Sequence, residues 1–210
     1  MSVDNDRELI YVADPMCSWC WGFAPVIARV RAEYQSAVKI SLVIGGLRPG
    51  PAARRLDDEM RRYLRAAWQS VHERSGQAFS FDLLERDDFL YDTDPAANAL
   101  VAMRRLEEAR ELDLFGAVQE AFYVRNDDVT QFTVLAELAV GLGVDGAQFS
   151  ALFSDRVTRT LVDQDYRRTS ELGVNGFPTL LLREDSRYTV ISHGYQPYSR
   201  VDSVLRERLC

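Results

Sequence analysis

Between Leu9 and Ile44 the chain carries two apolar, strand-forming runs with one helical pattern between them. No other feature constrains the fold as much. The first run, Leu9-Ile10-Tyr11-Val12-Ala13, is continuously apolar and stops at the turn signal Asp14-Pro15. A run without polar alternation predicts a strand covered on both faces. Cys20, Phe23, Ile27, Val30 and Tyr34 then recur at spacings of three and four, which lines them along one helix face. Pro25 lies inside that pattern; it lacks a backbone donor and crowds the carbonyl of Trp21, so a kink is expected there and not an end. The second run, Val38 to Ile44, closes at Gly45-Gly46. Strand, short helix, strand implies a right-handed crossover and a parallel pair.

From Arg48 to about Gly173 the pattern is helical. Met60, Leu64, Trp68 and Val71 share one face, as do Leu100, Met103 and Leu106. Asp94-Pro95 reads as an N-cap followed by proline at the first helical position. Another helix is expected to open at Thr130 or Gln131 and stop at Gly143, with Asp145 capping its successor. Strand character returns at Thr179-Leu180-Leu181-Leu182 and Tyr188-Thr189-Val190-Ile191, with a polar turn from Arg183 to Arg187, and a short helix from Pro197 to Leu209 closes the chain. The fold class is therefore α/β, in the order β-α-β, helical insert, β-β-α. Residues 1–48 and 174–210 make one domain, and 49–173 make the inserted one.

A chain of 210 residues is long enough for this plan. Its net charge of −7 gives no basic footprint for a phosphate backbone, so nucleic acid is not an expected partner. No stretch approaches the roughly 18 consecutive apolar residues of a membrane span. The start, with Asp4, Asp6, Arg7 and Glu8, lacks the basic and apolar regions of a signal peptide. Cytoplasmic localisation is the expectation, as a monomer or homodimer without a membrane partner.

Three cysteines, Cys17, Cys20 and Cys210, are too few for a disulfide scaffold. Across the first turn of a helix, a Cys-x-x-Cys pair brings two sulfurs within reach of a disulfide, which needs Cα atoms roughly 4.4–6.8 Å apart. It also sets the first sulfur beside the unpaired N–H groups at the positive end of the helix dipole, where a thiolate is stabilised. Cys17 is thus the expected nucleophile and Cys20 the resolving thiol. Structural zinc takes about four ligands; Cys210, His72 and His193 show no paired spacing that would complete a site, so no metal is expected.

Gly176-Phe177-Pro178-Thr179 stands just before a strand, where proline is tolerated only at the edge or the first residue. An X-Pro bond can be cis at small cost. Pro178 is either an ordinary loop proline or a device that presents the Phe177 backbone, beside Cys17, to an incoming peptide.

These motifs resemble the thioredoxin fold with the long helical insert of the DsbA family. Asp14-Pro15-Met16-Cys17-Ser18-Trp19-Cys20-Trp21-Gly22 is similar to its cytoplasmic, FrnE-like branch, and the resemblance runs from about Ile10 to Leu209. It implies a thiol–disulfide oxidoreductase, protein-disulfide-isomerase-like, in which the Cys17–Cys20 disulfide is redox-active. Pro178 would be a cis-proline facing that pair, with protein or small-molecule thiols and disulfides as substrates. Periplasmic oxidants of the family carry histidine between the cysteines. Ser18 and Trp19 bring no positive charge to Cys17, which implies a milder oxidant. Trp19 serves either as an apolar lip for substrate or as packing against the insert. Phe177, Pro178 and Thr179 are the other expected substrate contacts. Asp14 either tunes the pair and moves a proton at Cys20 or simply forms a turn. His193 reads as a satisfied strand-end residue, and Cys210 as an exposed bystander.

Two other readings stay open. Kappa-class glutathione transferases and hydroxychromene-carboxylate isomerases share the layout, though with serine in place of a redox pair, so no cofactor is required but glutathione is a candidate co-substrate. The chain would otherwise be a redox-gated binding module.

Overall fold

A computed structural model describes residues 4–209. Strand β1 (Asp4–Ala13) leads through Asp14–Cys17 into helix α1 (Ser18–Tyr34), which is followed by β2 (Val38–Ile44). A two-residue strand β3 (Arg54–Arg55), helix α2 (Asp58–Ser75) and a second short strand β4 (Leu90–Tyr91) come next. Helices α3 (Asp94–Glu107), α4 (Glu111–Tyr123), α5 (Phe132–Gly141), α6 (Gly146–Phe153) and α7 (Arg156–Glu171) complete the insert. The chain ends in the hairpin β5 (Thr179–Glu184) and β6 (Arg187–His193), then α8 (Tyr198–Leu209).

The main sheet has the order β2-β1-β5-β6, with β1 parallel to β2 and antiparallel to β5. Crossover, hairpin and insertion are those expected. Period-two alternation divides the sheet between two cores. Leu9, Tyr11 and Ala13 point toward α1 and the main core, whereas Ile10 and Val12 join Val43, Leu181 and Leu172 on the other face. Thus β1 is apolar throughout because both of its faces are covered.

Helix α1 runs through Pro25 to Tyr34. A proline there leaves the carbonyl of Trp21 without its helical donor. Gln77 Nε2 donates to that carbonyl at 3.0 Å, and Trp21 Nε1 donates to Ala78 O at 2.9 Å. The segment after α2 is thereby fastened to the first turns of α1. Helix α2 begins with Asp57 accepting from Met60 N at 2.8 Å and ends at Gly76, whose φ of +75° suits glycine. Its Met60, Leu64, Trp68 and Val71 are all buried, as the spacing predicted, at about 1.5–3 kcal/mol for each large side chain.

Some details differ from expectation. Helix α3 is capped by Thr93, with Asp94 its first residue and Pro95 its second; Thr93 belongs to the cap because its carbonyl already accepts from Ala97 N. The pairing of β3 with β4 was not anticipated, since two-residue strands carry no periodicity. The β5–β6 turn is confined to Asp185 and Ser186, with Asp185 at φ +53°. Cys210 lies outside the described residues.

The open edge of β2 is closed by a polar clamp. Arg104 on α3 donates to Leu42 O at 3.2 Å and to Asp165 Oδ2 at 2.8 Å, and its Nε reaches Glu111 at 2.8 Å. Asp165 Oδ2 in turn accepts from Ile44 N at 3.0 Å, while Thr169 Oγ1 donates to Ile44 O at 3.2 Å. Side chains of the insert thus take the edge hydrogen bonds that another strand would otherwise seek.

Candidate functional site

The site lies where β1 ends, α1 begins and the loop before β5 comes alongside. Cys17 is the N-cap of α1 in an extended conformation, and its carbonyl accepts from Trp21 N at 3.1 Å to start the helix. Its N–H donates back to Asp14 O at 3.1 Å. Cys17 and Cys20 are both free thiols. Cys17 is 7% exposed and Cys20 is fully buried, so of the two residues only the first has any surface open to solvent. The Cys17 side chain makes no capping hydrogen bond; Sγ faces Phe177 O at 3.8 Å. A neutral thiol is a weak acceptor, and it turns to a carbonyl in preference to the helix N–H groups.

The loop opposite comprises Gly176 to Thr179. The Phe177–Pro178 peptide is cis, and Pro178 is buried with its carbonyl accepting from Gly194 N at 2.8 Å. The Phe177 N–H finds no partner among the described residues. Thr179, the first residue of β5, is buried; its hydroxyl donates to Gly176 O at 2.8 Å and lies 3.1 Å from His193 Nδ1. That side chain holds the loop from within, and His193 at the end of β6 is its exposed neighbour.

Trp19 is half-buried beside the sulfurs. Its ring is 6.2 Å from that of Tyr195, and the guanidinium of Arg74 on α2 lies over it at 5.7 Å. Of the two sequence alternatives for Trp19, the contact with Arg74 of the insert fits packing.

Asp14 is fully buried. Its carboxylate accepts from Met16 N at 2.9 Å, which makes the turn, and from Leu47 N at 2.8 Å, which ties the loop after β2 to the site. Burial pushes its pKa up to about 6, although those backbone donors pull the other way. The Cys20 thiol is pushed well above the ordinary range, first by burial and then by Cys17 beside it.

Three tyrosines surround the pair from beneath, and the sequence singled out none of them for the site. Tyr11 comes from β1, Tyr91 from β4 and Tyr123 from the end of α4; all three are buried. The Tyr91 hydroxyl donates to Met16 O, the residue before Cys17. Alternation in β1 places Tyr11 under the helix and was the one signal available. Nothing in the sequence announced Tyr91 or Tyr123, because their places depend on how the insert folds back.

A sheet of order β2-β1-β5-β6, a cysteine pair at the mouth of its first helix and a long helical insertion before the final hairpin define a thioredoxin-fold protein of the inserted kind. The chain belongs to the family of DSBA-like thioredoxin domains, whose model matches residues 8–206, and so to an oxidoreductase family. It is similar to the crystal structure of a candidate protein disulfide isomerase from Nitrosomonas europaea, with 35% identity, 96% of each chain covered and a TM-score of 0.89. It is also similar to the cytosolic disulfide reductase DsbM from Pseudomonas aeruginosa, at 26% identity, 95% and 98% coverage and a TM-score of 0.81. DsbM has been solved with GSH as well. Among curated proteins it matches the ClpXP adapter protein SpxH of Bacillus subtilis (strain 168) at 23% identity over 92% of this chain. The chain spans 66% of that adapter's length.

Proposed function

We propose that the chain exchanges disulfides with protein or small thiol substrates through Cys17 and Cys20. The observation that carries this reading is Cys17 at the mouth of α1, a residue 7% exposed whose sulfur faces the Phe177 carbonyl, with Cys20 one turn deeper and closed off. In the reductive direction the Cys17 thiolate attacks a substrate disulfide, forms a mixed disulfide and expels one substrate thiolate. Cys20 then gives its proton to the Asp14 carboxylate and attacks Cys17 Sγ. The bond to substrate breaks, the second substrate sulfur leaves as a thiolate and takes a proton from solvent, and Cys17–Cys20 becomes the disulfide. The oxidative direction is the reverse.

The unpaired Phe177 N–H offers an extended substrate one backbone hydrogen bond beside the sulfur, with Pro178 shaping that surface and Thr179 holding it in place. Trp19, with Arg74 and Tyr195 behind it, forms the apolar rim. The redox centre is the cysteine pair itself. Glutathione is a candidate co-substrate, and the similar reductase DsbM has been solved with GSH. Cytoplasmic action is supported by the likeness to a cytosolic reductase, and no helix among the described residues is long and apolar enough to cross a membrane.

The test is a mixed-disulfide trap. In a Cys210→Ser background, Cys20→Ser mixed with glutathione disulfide is expected to hold one glutathione at Cys17, released by dithiothreitol and visible by mass; Cys17→Ser is expected to hold none. No adduct on Cys20→Ser would overturn the reading. A wild type that neither forms an adduct nor turns over disulfides favours a redox-gated binding module, the alternative that similarity to SpxH supports.

A further inference from the structure

Seven buried side-chain polar atoms in the described residues have no hydrogen-bond partner, and two of them are the hydroxyls of Tyr11 and Tyr123. Burying a polar group without a partner costs about 1–3 kcal/mol, so such atoms in a folded protein ask for an explanation. These two share a surrounding. Tyr11 projects from near the C-terminal end of β1 onto the face covered by α1, stacked on Phe23 at 5.9 Å and edge-on to Phe115 at 5.8 Å. Its hydroxyl is a neighbour of the Cys20 thiol and has no hydrogen-bond partner. Tyr123 is stacked beside Trp21 at 6.1 Å, and its hydroxyl lies near Tyr91 and both cysteines. The third phenol, Tyr91, is already engaged with Met16 O. Two buried donors are therefore left without a hydrogen-bond partner in the surroundings of the cysteine pair while both sulfurs are neutral.

We infer that Tyr11, assisted by Tyr123, is a hydrogen-bond donor to the Cys20 thiolate, a binding place for negative charge that is filled only during exchange. This rests on the disulfide-exchange reading above. A buried sulfur anion has no water to stabilise it, and donors already in position need no reorganisation when the charge appears. The charge appears twice: when Cys20 loses its proton to Asp14 before attacking the mixed disulfide, and when a substrate thiolate attacks Cys17 of the disulfide and expels Cys20. The tyrosines keep their protons throughout, and burial beside the sulfurs holds both phenols well above the usual range. The titratable groups around Cys20 are Cys17 from its own helix, Asp14 from the preceding loop, Tyr11 from β1 and Tyr123 from α4.

In a Cys210→Ser background, which removes the third thiol, Ellman's aromatic disulfide resolves the two steps by stopped-flow absorbance: reduced protein releases one coloured thiolate when Cys17 attacks and a second when Cys20 resolves. Tyr11→Phe removes one oxygen that bonds to nothing, so the thermal midpoint is expected to be unchanged or higher. Its first release is expected to match wild type, and its second to slow about 10- to 100-fold at neutral pH, the worth of one hydrogen bond to a charged group. The deficit is expected to shrink as the pH rises. Tyr123→Phe is expected to give a smaller loss on the same step. A second release in Tyr11→Phe that follows the wild-type pH profile would overturn the proposal. So would an equal slowing of both releases with a lowered thermal midpoint, which is what a packing role produces. A Cys210→Ser parent that releases no coloured thiolate would instead remove the exchange reading itself.

Discussion

A methyl group on Gly45 would stand 2.3 Å from the ring of Phe177. The end of β2 and the loop that faces Cys17 lie against each other because residue 45 has no side chain. Gly45 also donates to Ala13 O at 2.8 Å, so its backbone is held and the ring must give way. Gly45→Ala is therefore expected to cost about 1–3 kcal/mol in urea unfolding. It is also expected to slow mixed-disulfide formation at Cys17 by displacing the Phe177 carbonyl. Unchanged kinetics together with unchanged stability would mean that the contact is not needed.

The two sulfurs differ in access and in charge. With reduced protein at mildly acidic pH, iodoacetamide is expected to modify Cys17 well before Cys20, because Cys20 is closed to solvent and burial raises its pKa. Peptide mass mapping over time checks this; equal rates at the two positions would contradict the division into nucleophile and resolving thiol.

The Asp14 carboxyl is held at about 6, above its unfolded value of 3.8, so the native state takes up its proton first as the pH falls. A raised folded pKa means that this group's contribution is fully present below about 4 and is lost as the pH rises through about 6. The unfolding free energy of wild type relative to Asp14→Asn is thus expected to increase by on the order of 3 kcal/mol between pH 7 and pH 4. Urea titrations of both proteins across that range give the difference, and a flat difference would contradict it.

Arg104 joins α3 and α4 to α7 and reaches the backbone of β2. Burial raises the pKa of Glu111 to about 7 even with this arginine beside it. Arg104→Ala would leave Glu111 and Asp165 buried without their cation, a loss of about 3–5 kcal/mol. The expected result is a fall of that size in unfolding free energy at pH 7, somewhat smaller at pH 5, where Glu111 is protonated in wild type as well and the arginine has one charge less to offset.

Much of this was legible in the residues. The continuous run in β1, the glycines after β2 and the spacing within α1 and α2 were enough for the sheet and its first crossover, because each depends on neighbours in sequence. Pro178 beside Cys17 was one of two readings of the residues, and the family resemblance favoured it over an ordinary loop proline. Asp14 could be read as forming a turn, and it does, but its depth depends on Leu47 arriving from the far end of β2. Tyr91 sits in a two-residue strand paired with Arg54, and Tyr123 ends a helix; neither position has a local pattern that would reveal the sulfurs nearby.

The insert is no ornament on an otherwise complete sheet. Tyr91 holds the residue before Cys17, Gln77 satisfies the carbonyl that Pro25 strips of its donor, and Arg104 closes the flank of β2. Excising these helices would leave a strand skeleton with a bare flank, a loosened first turn and a thiol pair laid open to water. Shortening such a chain toward a minimal thioredoxin would need those three supports rebuilt from other residues.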